Sequence, residues 1–375
     1  MRVLFVTNPG EGQLYPMVPL AWTLHATGNE ILVGATEDFL PKISRVGLPA
    51  AASSGPVDLI EIMTSGAGGQ LRPTEMSWED QARAAARAFA IVAERTVDGV
   101  SALIQSWRPD VVVAESTNFA APLAARRHGI AFVEHRPGPA LPELMRKLAA
   151  EHLTEELAEP ALVIDNCPPS FQQDDAPAGH VTRYVPYNGP GVIADWMLSR
   201  STRKRVCVTL GTNLPHAPGS WSLLELVIAT LNELPVEIVL AVPNPDEVRY
   251  PQRDGLPPSV RAVGRYPLSA LVPTCDLTIN HGGAGSTMTT LTAGLPQLCV
   301  PHYGDDIRRA AQVAEKGVGL AVPANEVSPE SIGAAVSALL DSAEYQQAAE
   351  KIAQENAELP GPVDLVDVLR AQVSG

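Results

Sequence analysis

Two stretches far apart in the chain open alike: Arg2-Val3-Leu4-Phe5-Val6-Thr7-Asn8-Pro9-Gly10 at the start, and Arg205-Val206-Cys207-Val208-Thr209-Leu210-Gly211-Thr212-Asn213 past the middle. Each is a basic residue, a short unbroken apolar run and a turn with glycine. An unbroken run suits a strand buried on both faces, and such strands belong to parallel sheets covered by helices. Alternation then follows both openings. After the first come helical patterns at Tyr15–Ala26, Asp38–Val46, Trp78–Trp107 and Asn118–His128, with strands at Glu30–Ala35, Asp110–Ala114 and Ala131–Glu134. After the second come strands at Val236–Ala241, Val260–Val263 and Leu277–Asn280, with helices at Ser220–Asn232 and at about 284–293, 305–316 and 328–341. Strand–helix alternation of this kind predicts an α/β fold with doubly wound parallel sheets. Residues 50–76 are rich in Gly, Ser and Pro and read as a long functional loop.

The chain has 375 residues, more than one core usually holds and about right for two domains. The expected division is a first Rossmann-like domain over 1–188, a linker over 189–203, a second domain over 204–360, and a C-terminal helix over 361–375 that crosses back to the first. The formal net charge is −15, which argues against nucleic acid and anionic membranes as partners. A phosphate ligand would then be held by local backbone dipoles. Four widely spaced cysteines match no zinc pattern and suit a reducing cytoplasm, which is the expected location. The apolar start is too short for a signal peptide, and no run of about 18 apolar residues appears.

The strongest motif is Asn280-His281-Gly282-Gly283-Ala284-Gly285-Ser286-Thr287, which follows a strand and opens a helix. Glycines let a phosphate approach the backbone, and the first N–H groups of the helix point at it. A hydroxyl of Ser286 or Thr287 can add a donor. By itself the motif fits a tight strand-to-helix turn equally well. The next strand, within Leu295–Pro301, leads to His302-Tyr303-Gly304-Asp305-Asp306. Paired carboxylates suit hydrogen bonds from sugar hydroxyls, although aspartate at a helix start is favourable on its own account.

Asn280 to Asp306 resembles the donor-binding region of family 1 glycosyltransferases of the GT-B fold, above all the bacterial enzymes that put deoxysugars on antibiotic aglycones. Leu14-Tyr15-Pro16-Met17-Val18-Pro19-Leu20-Ala21-Trp22, Asp165-Asn166-Cys167-Pro168-Pro169-Ser170, Arg183-Tyr184-Val185-Pro186-Tyr187-Asn188-Gly189 and Val263-Gly264-Arg265-Tyr266-Pro267-Leu268 resemble further family segments in the same order. The resemblance implies two facing Rossmann-like domains with the active site in the cleft between them. It implies a donor site in which His281 and the amides of Gly283, Ala284, Gly285 and Ser286 hold the pyrophosphate and Asp305 and Asp306 hold the sugar. Gly211 and Thr212 would line the phosphate side. Arg265 stands where the family often has Trp, and with Tyr266 it would meet the base. The implied donor is a TDP- or UDP-sugar, the acceptor a small aromatic or polyketide-like molecule, and the assembly a possible homodimer. No D-x-D motif stands at a strand end, so neither metal nor cofactor is expected.

One departure concerns the general base. Where the family usually has histidine this chain has Gln13, an amide that does not titrate near neutrality. Glu11, Glu115 and His135 are the alternatives, and the choice between O-, C- and N-linkage stays open. Two further readings compete: a catalytically silent homologue serving as an accessory protein, which Gln13 favours, and an epimerase of the same fold.

Overall fold

The structure is a computed structural model. It describes residues 1–59, 61–62, 77–139, 142–174, 176–199, 201–211, 220–242, 256–302 and 304–373. The chain divides into two compact units, one of Met1–Val185 with Glu358–Gly375 and one of Pro186–Ala357. Among the described residues no helix is long and apolar enough to cross a membrane.

The first unit holds seven strands: β1 (Arg2–Val6), β2 (Glu30–Thr36), β3 (Ala50–Ser54), β4 (Val111–Glu115), β5 (Ala131–Arg136), β6 (Leu162–Asp165) and β7 (His180–Val181). Their order in the sheet is β3-β2-β1-β4-β5-β6-β7, all parallel. Val3–Val6 and Val111–Ala114 are fully buried, as their unbroken apolar runs demand. The helix Trp78–Trp107 lays Ala86, Phe89, Ala90, Ala93, Val97, Val100 and Ile104 against Leu4, Val6, Val112 and Ala114. Spacings of three and four put those side chains in one stripe. Ser77 caps the helix by accepting the Asp80 N–H at 3.1 Å, and Arg108, at φ 51°, ends it just before Pro109.

The second unit holds β8 (Lys204–Val208), β9 (Val236–Ala241), β10 (Val260–Gly264), β11 (Leu277–Asn280), β12 (Gln297–Cys299) and β13 (Gly319–Ala321). The order is β10-β9-β8-β11-β12-β13, again all parallel. Its main core packs β8, β9 and β11 against the helices Ser220–Asn232 and Pro329–Asp341.

In both sheets the chain winds outward one way from its first strand and then returns to that strand's other side. The reversal falls between β1 and β4 in one unit and between β8 and β11 in the other. At such a point the connections leave in opposite directions, and a crevice opens beyond the C-terminal strand ends.

The structure alters some sequence expectations. Ala50–Ser54, read as loop, is the edge strand β3: Ala and Ser lack the branched side chains that announce a strand, and pairing with β2 imposes it. The rest of that stretch, residue 60 and residues 63–76, lies outside the described residues. The short strands β6, β7 and β13 and the helix Ala343–Glu358 were not anticipated.

Candidate functional site

In the second unit the polar groups gather where β8, β11 and β12 end. Asn280, the last residue of β11, accepts the Gly282 N–H on its Oδ1 at 2.7 Å and so sets the turn. The His281 ring lies between two glycines. A Cβ on Gly211 would fall 2.4 Å from its Cε1, and one on Gly283 would fall 2.3 Å from its Nε2. Glycine at both positions leaves the space that the imidazole fills. Gly283 then caps the helix Ala284–Thr292 without a side-chain hydrogen bond, so the first N–H groups keep their anion-binding character. Burial, helped by the Arg309 and His302 charges, lowers the His281 pKa to about 4. The ring is neutral at pH 7, and its Nδ1 is buried without a partner. His302 donates from Nδ1 to the Val300 carbonyl at 2.9 Å.

Asp305 and Asp306 lie in the first turn of the helix Gly304–Glu315. Arg309, one turn on and buried, donates from Nη2 to Asp305 Oδ2 at 2.5 Å and to Asp306 Oδ1 at 3.1 Å. Its Nε donates to the Gly282 carbonyl at 2.7 Å. The Arg309 guanidinium beside Asp305 holds that carboxyl below the ordinary range. Burial and the neighbouring Asp305 charge push Asp306 up. The Asp305 side chain remains 72% exposed and Asp306 only 15%, so Asp305 is the more open to a ligand.

The remaining expected donor residues differ in their surroundings. Arg265 is exposed. Tyr266 turns inward, edge-on to Trp196 with ring centroids 5.5 Å apart, and its ring covers Gly264. Ser286 donates its hydroxyl to the Gly283 carbonyl at 3.2 Å, while the Thr287 hydroxyl is buried without a partner. Thr212 lies outside the described residues. Asn188 accepts the Ser269 N–H at 2.9 Å and donates to Thr289 Oγ1 at 3.1 Å, which joins the segment after Arg265 to the helix Ala284–Thr292.

In the first unit the corresponding point is the junction of β1 and β4. Asn8, just past β1, donates from Nδ2 to Glu115 Oε1 at 3.1 Å. Glu115 ends β4 and also accepts the Thr117 N–H at 2.7 Å and the Thr117 hydroxyl at 2.8 Å. Glu115 is buried, only 3% exposed. Burial outweighs its hydrogen bonds and raises its pKa to about 7. His135, its register partner on β5, is buried too, and burial lowers its pKa to about 4. Gln13 lies in the helical turn Glu11–Leu14 and folds back, its Oε1 taking the place a Gly10 Cβ would occupy. Glu11 is buried in a 2.7 Å ion pair with Lys42. Among the described residues no three His, Cys, Asp or Glu side chains form a group suited to a metal ion.

The sequence alone assigns no role to Arg309, Asn188 or Asn8. For Arg309 a signal existed: a cation three and four residues after two aspartates on one helix faces both.

Comparison with known proteins gives consistent results. Residues 22–211 match the N-terminal domain, and residues 225–372 the C-terminal domain, of the erythromycin biosynthesis protein CIII-like model. The L-demethylnoviosyl transferase of Streptomyces niveus is 38% identical over 99% of this chain and 98% of its own. A glycosyltransferase of Streptomyces sp. SF2575, solved with thymidine diphosphate, superposes with a TM-score of 0.85 at 32% identity, covering 99% of both chains. A spinosyn rhamnosyltransferase solved with spinosyn aglycone gives 0.82 at 30% identity, covering 99% of this chain and 100% of its own. Structural neighbours of this kind place both parallel-sheet units in the GT-B fold. They lend no support to the accessory-protein or epimerase readings.

Proposed function

The chain belongs to the erythromycin biosynthesis protein CIII-like family and is a glycosyltransferase, and we propose that it moves a deoxysugar, with inversion, from a thymidine diphosphate sugar to an aromatic or polyketide-like acceptor. The observation that carries the donor half is the His281 ring seated between Gly211 and Gly283 at an uncapped helix start, with Asp305 and Asp306 on the adjoining helix. The relatives solved with thymidine diphosphate and with an aglycone support the choice of both substrates. Uridine diphosphate is the competing donor.

The acceptor atom attacks the anomeric carbon while the bond to the diphosphate oxygen breaks. Negative charge then grows on the leaving phosphate, where preorganised N–H groups and the neutral His281 stabilise it most. The proton of the acceptor passes to Thr117 Oγ1 as that hydroxyl delivers its own proton to Glu115, 2.8 Å away. A carboxylate with a pKa of about 7 is matched to this task near neutrality. Glu11 is unsuited to it because its carboxylate is already engaged in the ion pair with Lys42. Gln13, with its amide over Gly10, orients the acceptor by hydrogen bonding. Residues 1–188 would then bind the acceptor and 204–360 the donor. The four buried free thiols suit a reducing compartment, the cytoplasm.

Calorimetry with thymidine diphosphate tests the donor site. His281→Ala should weaken binding by roughly 1–3 kcal/mol, the loss of one hydrogen bond to a charged group. Equal affinity of both proteins would remove His281 from the phosphate site. Tighter binding of uridine diphosphate to the wild type would reassign the base.

A further inference from the structure

Arg309 belongs to none of the roles assigned so far, yet its guanidinium touches both halves of the donor site. Its Nε binds the carbonyl of Gly282, inside the turn that carries His281 and Gly283. Its Nη2 takes one oxygen of Asp305 and one of Asp306. The two segments also meet backbone to backbone: Gly282 has φ +87°, and a Cβ there would lie 2.7 Å from the Asp306 carbonyl oxygen. A buried fork of fixed shape joins a turn from β11 to a helix following β12. Lysine carries the same charge but cannot present that fork to three acceptors at once.

We infer that Arg309 is a positioning residue that locks the pyrophosphate turn to the sugar-binding carboxylates, so that the bond broken in transfer is held between two fixed subsites. The inference rests on the donor reading above. In a nucleotide sugar only one oxygen separates the anomeric carbon from the phosphate, so a small slip between the subsites misaligns the departing group. Arg309 also offsets charge: two carboxylates stand beside the place where the diphosphate gathers negative charge, and the guanidinium lies between them and the turn. Its charge bears on His281 as well. The groups facing that ring are Arg309, His302 and Asp305; Arg309 and His302 disfavour the imidazolium and Asp305 favours it.

The alternative is a structural ion pair that only steadies the helix start. Binding and kinetics of wild type, Arg309→Lys and Arg309→Met separate the two, and the His281 titration reports the charge that Arg309 places beside the ring. Affinity for thymidine diphosphate alone should stay within about threefold in Arg309→Lys, because the turn's own N–H groups remain. The added affinity of a thymidine diphosphate sugar over thymidine diphosphate should shrink, and kcat should fall by at least about tenfold with KM rising less, since the larger loss falls on the transition state. In the ligand-free protein, the His281 ring followed by NMR should titrate at higher pH in Arg309→Met than in wild type, and near the wild-type pH in Arg309→Lys. Weakening of both ligands in equal proportion would overturn the positioning role, and an unmoved His281 titration in Arg309→Met would overturn the charge contact with that ring. If Arg309→Met does not fold, Arg309→Lys decides through the sugar increment and the kcat–KM split. A wild type that binds no thymidine nucleotide overturns the donor reading; the His281 titration needs no ligand and reports on Arg309 regardless.

Discussion

Glu115 and His135 face each other across the β4–β5 ladder, and burial moves their pKa values in opposite directions. At neutral pH the carboxyl is near half ionised and the imidazole is neutral. If Glu115 is the proton acceptor, kcat/KM should rise with pH to a plateau above about 7, and Glu115→Gln should lose most of the rate together with that limb. A variant that keeps both would show that the acceptor ionises unaided, as a phenol can. The same pair makes a stability prediction. His135, with its folded pKa depressed from 6.5 to about 4, contributes stability that is fully present above the unfolded value and is lost as pH falls through that window. Glu115, raised from 4.5 to about 7, acts the other way: its contribution is present below the unfolded pKa and is lost as pH rises through the folded one. Each is worth about 3 kcal/mol, so the two oppose each other over most of their common range. Glu115→Gln should therefore gain stability relative to wild type by about that amount between pH 4.5 and 7, read by chemical denaturation at both pH values. A constant difference across that range would show that Glu115 does not titrate as its burial requires.

At the scale of elements, the long helix Trp78–Trp107 crosses β3 at Gly99. A Cβ there would lie 1.6 Å from the Ser53 carbonyl oxygen and 2.4 Å from its carbon. Both are backbone atoms, so relief requires the helix to part from the sheet. Replacing a mid-helix glycine by alanine ordinarily gains up to about 1 kcal/mol. Here overpacking wins, and Gly99→Ala should destabilise by about 1–3 kcal/mol or more. Gly333, inside the helix Pro329–Asp341, is the control. A Cβ there meets only Thr230 Cγ2 at 3.6 Å, an ordinary contact, so Gly333→Ala should stabilise by roughly 0.5–1 kcal/mol. Thermal denaturation of the two variants checks the pair. Opposite signs are expected, and a stabilised Gly99→Ala would mean that the helix does not lie against Ser53.

At the scale of the molecule, the chain does not end in the unit where most of its second half lies. Glu358–Gly375 belongs to the first unit. The helix Leu365–Val373 buries Leu365, Val366 and Leu369, and the Pro360 carbonyl accepts the Arg183 N–H at 2.8 Å. Three buried aliphatic side chains are worth several kcal/mol at about 1.5–3 kcal/mol each, comparable with the whole stability of many domains. Truncation after Ala357 should therefore unfold or aggregate the first unit while the second still folds. Limited proteolysis of the truncated chain should leave a resistant fragment corresponding to Pro186–Ala357. Resistance of both units would sink the idea.

The sequence by itself determined the two α/β halves, the glycine turns that open them and the His281–Ser286 and Asp305–Asp306 motifs. These are local signals, since a strand buried on both faces must be apolar throughout and a helix start that meets phosphate must be free of bulky side chains. Only the tertiary structure decided which distant residues meet. Gly211 and His281 come together because β8 and β11 are neighbours in space although β9 and β10 separate them along the chain. Asn8 reaches Glu115 for the same reason, across β1 and β4. The strand β3 and the raised pKa of Glu115 were illegible because pairing and burial create them: neither Ala-Ala-Ala-Ser-Ser nor a lone glutamate carries any local mark of the environment that the fold supplies.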